Sequence, residues 1–276
     1  MKAGAVCCIH DHEYTLINKC RIRQAHKTMF KPSILKFSFL LFALLFSNSA
    51  FAELTEAELE SLKTLIDSDS RSEKARARNK YRHPYETLKF FDVKSDQTVV
   101  EIWPGGQGGW YRSILEPYLE ENGTYIPVRS SSAFPEAVAK APDNSADRVL
   151  VFRAHGFMIY SKPAQQYFDS IYKMLKPGGV FGIVDHRGDE AIPQDPEGKN
   201  GYVNQSHVLM LAKNAGFELI DSSEVNANPA DTKDYPKGLY SLPPSLRGST
   251  FDSELRKKVL AIGESDRMTL KFVKPE

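Results

Sequence analysis

Residues Thr98–Tyr111 read T-V-V-E-I-W-P-G-G-Q-G-G-W-Y: an apolar run that ends in an acid and then breaks into a glycine cluster. A buried parallel strand, a tight turn and a helix N-terminus leave this pattern in a sequence. Glycine lets the backbone approach a ligand where a side chain would collide. Glu101, at the strand end, is placed to hydrogen-bond a ribose or an amino group. The same turn also occurs with no ligand at all, so the stretch speaks more clearly for the fold than for a function.

Working outward, apolar residues at 54, 57, 59, 62, 65 and 66 predict a leading helix over Leu54–Ile66. A short helix over Tyr85–Phe91 precedes the first strand, Thr98–Trp103. The helix after the glycine turn spans Gly109–Glu121 and stops at Asn122-Gly123. Further strands are expected at Thr124–Val128, Asp147–Arg153, Val180–Asp185, Phe217–Val225 and Arg267–Val273. Helices are expected at Pro163–Leu175, closed by Lys176-Pro177-Gly178-Gly179, and at Val203–Ala215. Alternating strands and helices predict an α/β fold: a Rossmann-like, doubly wound, mostly parallel sheet with helices on both faces. Asn226–Thr250, rich in Pro, Asn, Gly and Ser, reads as a long ordered loop.

The N-terminal part reads differently. Met29-Phe30-Lys31-Pro32, the apolar run Ile34–Phe46 and the ending Ala50-Phe51-Ala52 are the three parts of a secretory signal peptide over 29–52, cut after Ala52. Residues 1–28 fit no part of that plan and read as an extension ahead of a true start at Met29. The expected mature chain is then a single domain, 53–276, with a helical lead over 53–95. It has no stable membrane anchor and a periplasmic or secreted location. All three cysteines (Cys7, Cys8, Cys20) lie in the extension, which leaves the mature chain without disulfides or thiolate ligands. The whole chain carries 36 basic and 35 acidic residues. Seven basic and two acidic ones lie in 1–52, so the remainder holds 29 against 33, a net charge of −4. That balance gives no electrostatic footprint for nucleic acid. The stretch Asp67–Arg82 concentrates Arg71, Lys74, Arg76, Arg78, Lys80 and Arg82. It reads as a solvated helix face, with anion binding as a second reading.

Ligands of such sheets bind beyond the carboxyl ends of the strands. Three strand ends carry polar residues: Glu101 through Gly109, Arg153-Ala154-His155, and Asp185-His186-Arg187. If the second and third are neighbours, His155 and His186 point into one cleft and can act as bases near neutral pH. The alternative is that each histidine caps its strand. The four histidines after residue 52 show no i, i+3 or i+4 pairing, so a metal held by His155, Asp185 and His186 would need convergence in space. No G-x-S-x-G elbow is present.

The strings E-I-W-P-G-G, L-K-P-G-G-V-F-G-I-V-D-H-R and I-G-E-S-D-R-M-T-L-K-F resemble the class I S-adenosylmethionine-dependent methyltransferases, with the nearest likeness to an exported bacterial branch. The likeness covers about Tyr81–Pro275. It implies S-adenosylmethionine as cofactor and a small-molecule or envelope component as methyl acceptor. Glu101, Pro104, Gly105, Gly106 and Gly108 would form the cofactor turn. Arg153 and His155 would lie close to the transferring methyl, and Asp185 and His186, at the next strand end, complete the candidate catalytic set. The superfamily pattern acid-x-Gly-x-Gly-x-Gly would put glycines at 103, 105 and 107, where this chain has Trp103, Gly105 and Gln107. The second strand runs into Arg129-Ser130-Ser131 instead of an acid. Only 46 residues separate Glu101 from Asp147, which implies that one strand–helix unit is shortened or absent. Two other functions fit the same residues: a ligand-binding protein without catalysis, and a hydrolase or lyase built on His155, Asp185 and His186, with or without a metal.

Overall fold

A computed structural model describes residues 53–105, 109–129, 141–154, 156, 158, 164–249 and 251–276. The expected signal peptide, extension and cysteines lie outside the described residues, as do Gly106, Gln107, Gly108 and His155.

Six strands form one sheet: β1 (Thr98–Ile102), β2 (Thr124–Val128), β3 (Ala146–Phe152), β4 (Leu175–His186), β5 (Glu218–Ser223) and β6 (Arg267–Val273). Their spatial order is β2-β1-β3-β4-β6-β5. The first four run parallel; β6 is antiparallel to both β4 and β5. From β1 the chain goes to one side for β2 and to the other for β3. The order therefore reverses between β1 and β3, which leaves a crevice at their carboxyl ends. Among the described residues β2 is the outermost strand on its side, and the next described strand after it is β3.

Alternation along the strands divides the apolar residues between two cores. Val100, Ile102, Val149, Val151, Phe181 and Ile183 pack against α6 (Ala164–Met174) and α7 (Gln205–Ala215), through Phe168, Ile171, Val208 and Leu211. Val99, Leu150, Phe152 and Val184 face the opposite way, toward α1 (Glu56–Asp67), α4 (Pro84–Phe90) and α5 (Arg112–Leu119). Between α1 and α4 lie two single-turn helices, α2 (Glu73–Arg76) and α3 (Asn79–Arg82). The lead helix α1 begins at a capping box: Thr55 Oγ1 accepts from the Glu58 amide, and the Thr55 amide donates to the Glu58 carboxylate at 2.7 Å. No helix among the described residues is long and apolar enough to cross a membrane.

Three expectations need correction. Strand β4 begins at Leu175 and not at Val180. Leu175 already pairs with Ala146, and Lys176–Gly179 bulges out, with Gly178 at φ +72°, before pairing resumes between Arg148 and Val180. A helix not expected from the sequence, α8 (Ser253–Ile262), follows the long loop. It starts at Asp252, whose carboxylate accepts from the Leu255 amide at 2.9 Å. The basic stretch 67–82 is a solvated face only in part: Lys74 and Lys80 are exposed, whereas Arg71 and Arg82 are both 2% exposed.

Phe181 sits at the centre of the larger core, with Phe168, Phe217 and Phe272 at ring distances of 5.6, 5.0 and 5.9 Å. Phe181→Ala should lower the unfolding free energy by about 3–5 kcal/mol in urea titrations. Phe251→Ala, at a fully exposed ring, should change it by less than about 0.5 kcal/mol.

Candidate functional site

The crevice at the order reversal is a real cavity of about 210 Å³. Trp103, Pro104 and Gly105 line it from the end of β1, Phe152 and Arg153 from β3, and His186 from β4. Glu264, Ser265 and Arg267 line it from the start of β6, which is antiparallel and so begins at the same edge. Leu239, Tyr240 and Pro243–Ser245 of the long loop close it over.

Local backbone geometry aims these residues. Trp103 and Arg153, each the first residue after its strand, have φ of +52° and +56°. Left-handed backbone costs a non-glycine residue about 1–2 kcal/mol. Both turns are held by a backbone bond into the neighbouring strand. The Trp103 amide donates to the Val128 carbonyl at 2.8 Å, and the Arg153 amide to the Val184 carbonyl at 2.7 Å. Trp103 packs edge-on against Tyr167 at 6.3 Å and leaves the cavity open. Gly105 has φ +93°, and a Cβ built there would meet nothing within 4 Å, so its missing side chain leaves free space at the turn.

The expected residues divide. Pro104, Gly105, Arg153 and His186 come together at the cavity. Glu101 and Asp185 are buried beside it and do not line it. The Tyr125 hydroxyl donates to Glu101 Oε2 at 2.5 Å. Burial pushes the Glu101 carboxyl up to about 7, against that hydrogen bond and the Arg153 charge. Asp185 Oδ1 accepts from the His186 amide at 2.7 Å. Burial likewise pushes its carboxyl up to about 7, opposed by the His186 amide and by Arg153. His186 Nδ1 lies 2.5 Å from Ser265 Oγ. Among the described residues no group of three His, Cys, Asp or Glu side chains is arranged to hold a metal ion. Arg129 is exposed and does not reach the cavity.

Sequence reasoning missed the far wall. Glu264 is 3% exposed and accepts from Arg78 Nε at 2.5 Å, from Arg82 Nε at 3.3 Å and from Arg267 Nη2. Burial alone would raise its carboxyl; Arg267, Arg82 and Arg78 outweigh burial and hold it at about 2. The long loop is pinned to this wall. Asn228 Nδ2 donates to the Ile262 and Glu264 carbonyls, and the Asp266 amide donates to Asp231 at 2.8 Å. The signal was present in Glu264-Ser265-Asp266-Arg267, three polar residues immediately before an apolar strand and an arginine at its first position.

No model of a known protein family matches the chain. The sterol 24-C-methyltransferase erg-4 of Neurospora crassa is 25% identical over 176 residues, 52% of this chain and 45% of that protein. The sterol 24-C-methyltransferase erg6 of Aspergillus fumigatus is 32% identical over 124 residues, 40% of this chain and 31% of that protein. The chain thus spans less than half the length of these curated relatives. Among solved structures, a SAM-dependent methyltransferase from Aquifex aeolicus superposes with a TM-score of 0.42 at 20% identity, over 61% of this chain and 93% of that one. The chain is similar to the class I S-adenosylmethionine-dependent methyltransferases, and its sheet is Rossmann-like.

The two raised carboxyls set a pH dependence. In the unfolded chain Asp185 and Glu101 titrate near 4, whereas folded they hold their protons to about 7. Between those values the native state binds more protons, so stability is greatest at the acid end and falls as pH rises. The unfolding free energy from denaturant titrations should drop from pH 5 to pH 7, by about 1.4 kcal/mol per pH unit for each group. Asp185→Asn should flatten the slope by about half.

Proposed function

We propose that this protein is a methyltransferase that binds S-adenosylmethionine at the strand-end cavity and methylates a small molecule or envelope component. The observation that carries the reading is the cavity's position. It lies where the strand order reverses, between the Gly105 turn of β1 and the Arg153 and His186 ends of β3 and β4. The sequence similarity to two methyltransferases supports the same reading.

Gly105 passes the test of fit, since it leaves open a position that any side chain would occupy. When bound, the cofactor supplies an electrophilic methyl group on a sulfonium. The protein's own contribution is alignment and exclusion of water, which matter most in an in-line displacement. Phe152, Leu239, Pro243 and Pro244 give the cavity apolar walls. Trp103 and Arg153 are fixed at the rim by their backbone bonds. His186, with Nδ1 turned to Ser265, is the base for an acceptor that must lose a proton. The ligand-binding reading without catalysis has one observation in its favour: β2 ends at Val128-Arg129 with no acid to hold ribose hydroxyls.

Calorimetric titration separates the two. The methyltransferase reading expects micromolar binding of S-adenosylmethionine and S-adenosylhomocysteine. It also expects Gly105→Val to lose that binding while its thermal midpoint falls by only a few degrees, the left-handed backbone being the main cost. Absence of heat at millimolar cofactor would leave the ligand-binding reading. We further propose that the protein acts outside the cytoplasm, supported by the signal-peptide pattern of 29–52. N-terminal sequencing of the protein recovered from the cell envelope should start at Glu53; retention of residues 29–52 would overturn this.

A further inference from the structure

Four guanidinium groups gather at one side of the cavity around a single carboxylate. Arg78 and Arg82 come from the helical lead, Arg153 from the end of β3, and Arg267 from the start of β6. Three of them hydrogen-bond Glu264, and Arg153 lies close enough to feel both Arg267 and Glu264. Arg267 Nη1 also donates to the Tyr81 carbonyl at 2.8 Å. One carboxylate and one carbonyl do not use up these donors. Arg78 Nη2, Arg82 Nη1 and Nη2, Arg153 Nε and Arg267 Nε are all buried without a hydrogen-bond partner. Arg82 and Arg267 are each only 2% exposed.

Buried guanidinium groups without partners are costly, because each has left water for nothing. The neighbouring acids offset this only in part, since burial pushes both Glu101 and Asp185 up to about 7. By formal charge the four arginines exceed Glu264 by three. Its strain shows in the arginines themselves. Burial and the Arg267 charge lower the Arg153 guanidinium to about 10; burial and the Arg153 charge lower Arg82 as well. An oxyanion in the cavity would offset the repulsion among these arginines and supply the hydrogen-bond acceptors they lack. Arginine is the side chain suited to it, as its planar fork matches phosphate oxygens two at a time. Two of the four, Arg153 and Arg267, line the cavity directly, along with Ser265, Tyr240 and His186 as further polar groups.

We propose that this arginine cluster is an oxyanion site and that the methyl acceptor carries a phosphate group which Arg153 and Arg267 bind. The assignment of the anion to an acceptor rests on the methyltransferase reading; the anion site itself does not. An excess of three charges favours a dianionic phosphate over a carboxylate. The cofactor's own carboxylate is the other source of such an anion, and the test separates the two.

The test is titration of the purified protein with inorganic phosphate at fixed ionic strength, alone and in the presence of saturating S-adenosylhomocysteine. Phosphate should bind and raise the thermal midpoint, and acetate at the same concentration should do neither. Arg153→Gln should weaken phosphate at least tenfold. Lys176→Gln, at the opposite end of β4, should leave it unchanged. Phosphate should still bind in the presence of S-adenosylhomocysteine, with its affinity reduced less than threefold. Mutual exclusion would give the arginines to the cofactor carboxylate and overturn the acceptor assignment. No phosphate binding, with S-adenosylhomocysteine bound normally, would overturn the oxyanion site and leave the methyltransferase reading intact. Phosphate binding without any cofactor binding would sink that reading and retain the site. Should Arg153→Gln fail to fold, Arg153→Lys keeps a charge but loses the fork, and should still weaken phosphate severalfold.

Discussion

The Glu264 carboxylate is the point through which the two ends of the described chain are joined. Arg78 and Arg82 reach it across more than 180 residues, and Arg267 reaches it from three residues away. A carboxylate this deeply buried would lose its charge on desolvation alone, and the arginines keep it ionised. Without it, three guanidinium groups would remain in the interior with no counter-charge, the arrangement that costs about 3–5 kcal/mol when one partner of a buried pair is removed. Two neutral bonds lie alongside. Asn226 Nδ2 donates to Thr87 on α4 and to Thr269 on β6, each at 3.0 Å. The helical lead is thereby held against the first residues of β6, and the wall of the cavity exists because that contact exists.

The sheet supplies the opposite wall by a different means. β1 and β3 are neighbours that run the same way, so their carboxyl ends stop at the same edge. At that edge each strand is followed by a residue in left-handed backbone, Trp103 after β1 and Arg153 after β3. Neither is glycine, and each turn is held by one short amide bond to the adjoining strand. Backbone of this kind persists only where the surroundings over-determine it, and it concentrates at ligand sites. A bulky tryptophan thus stands at the rim of the glycine turn without filling the crevice, because its ring is drawn down onto Tyr167.

What could be read from the sequence follows from these physics. Strands β2 and β6 were expected with their observed bounds. β1 and β3 were expected to within a residue, because runs such as V-L-V-F must be buried on both faces. The direction of β6 was not legible, since an apolar strand looks the same whichever way it runs. The bulge at Lys176–Gly179 was read as a helix stop because Pro and Gly mark an interruption without saying whether pairing resumes. Pro104, Gly105, Arg153 and His186 could be placed at strand ends from the sequence, and they line the cavity there. The burial of Arg71 and Arg82 was not legible, for a clear reason. A run of charges looks solvated unless its counter-charge is in view, and Glu264 lies far along the chain.

The acids under the cavity complete the electrostatic argument. Glu101 and Asp185 sit near Arg153, and an ion pair with it would have ionised them both. Burial outweighs that attraction in each case, and both hold their protons close to neutrality. Beside the cavity, negative charge is thereby reduced, while the far wall gathers several arginines around one carboxylate. An entering anion would meet attraction from that wall. Its charge would raise the two carboxyls further, so anion binding and proton uptake by these acids are linked. Two buried acids with weak hold on their charge thus serve the arginine cluster better than two ionised ones would, since ionised partners would have neutralised the wall from within.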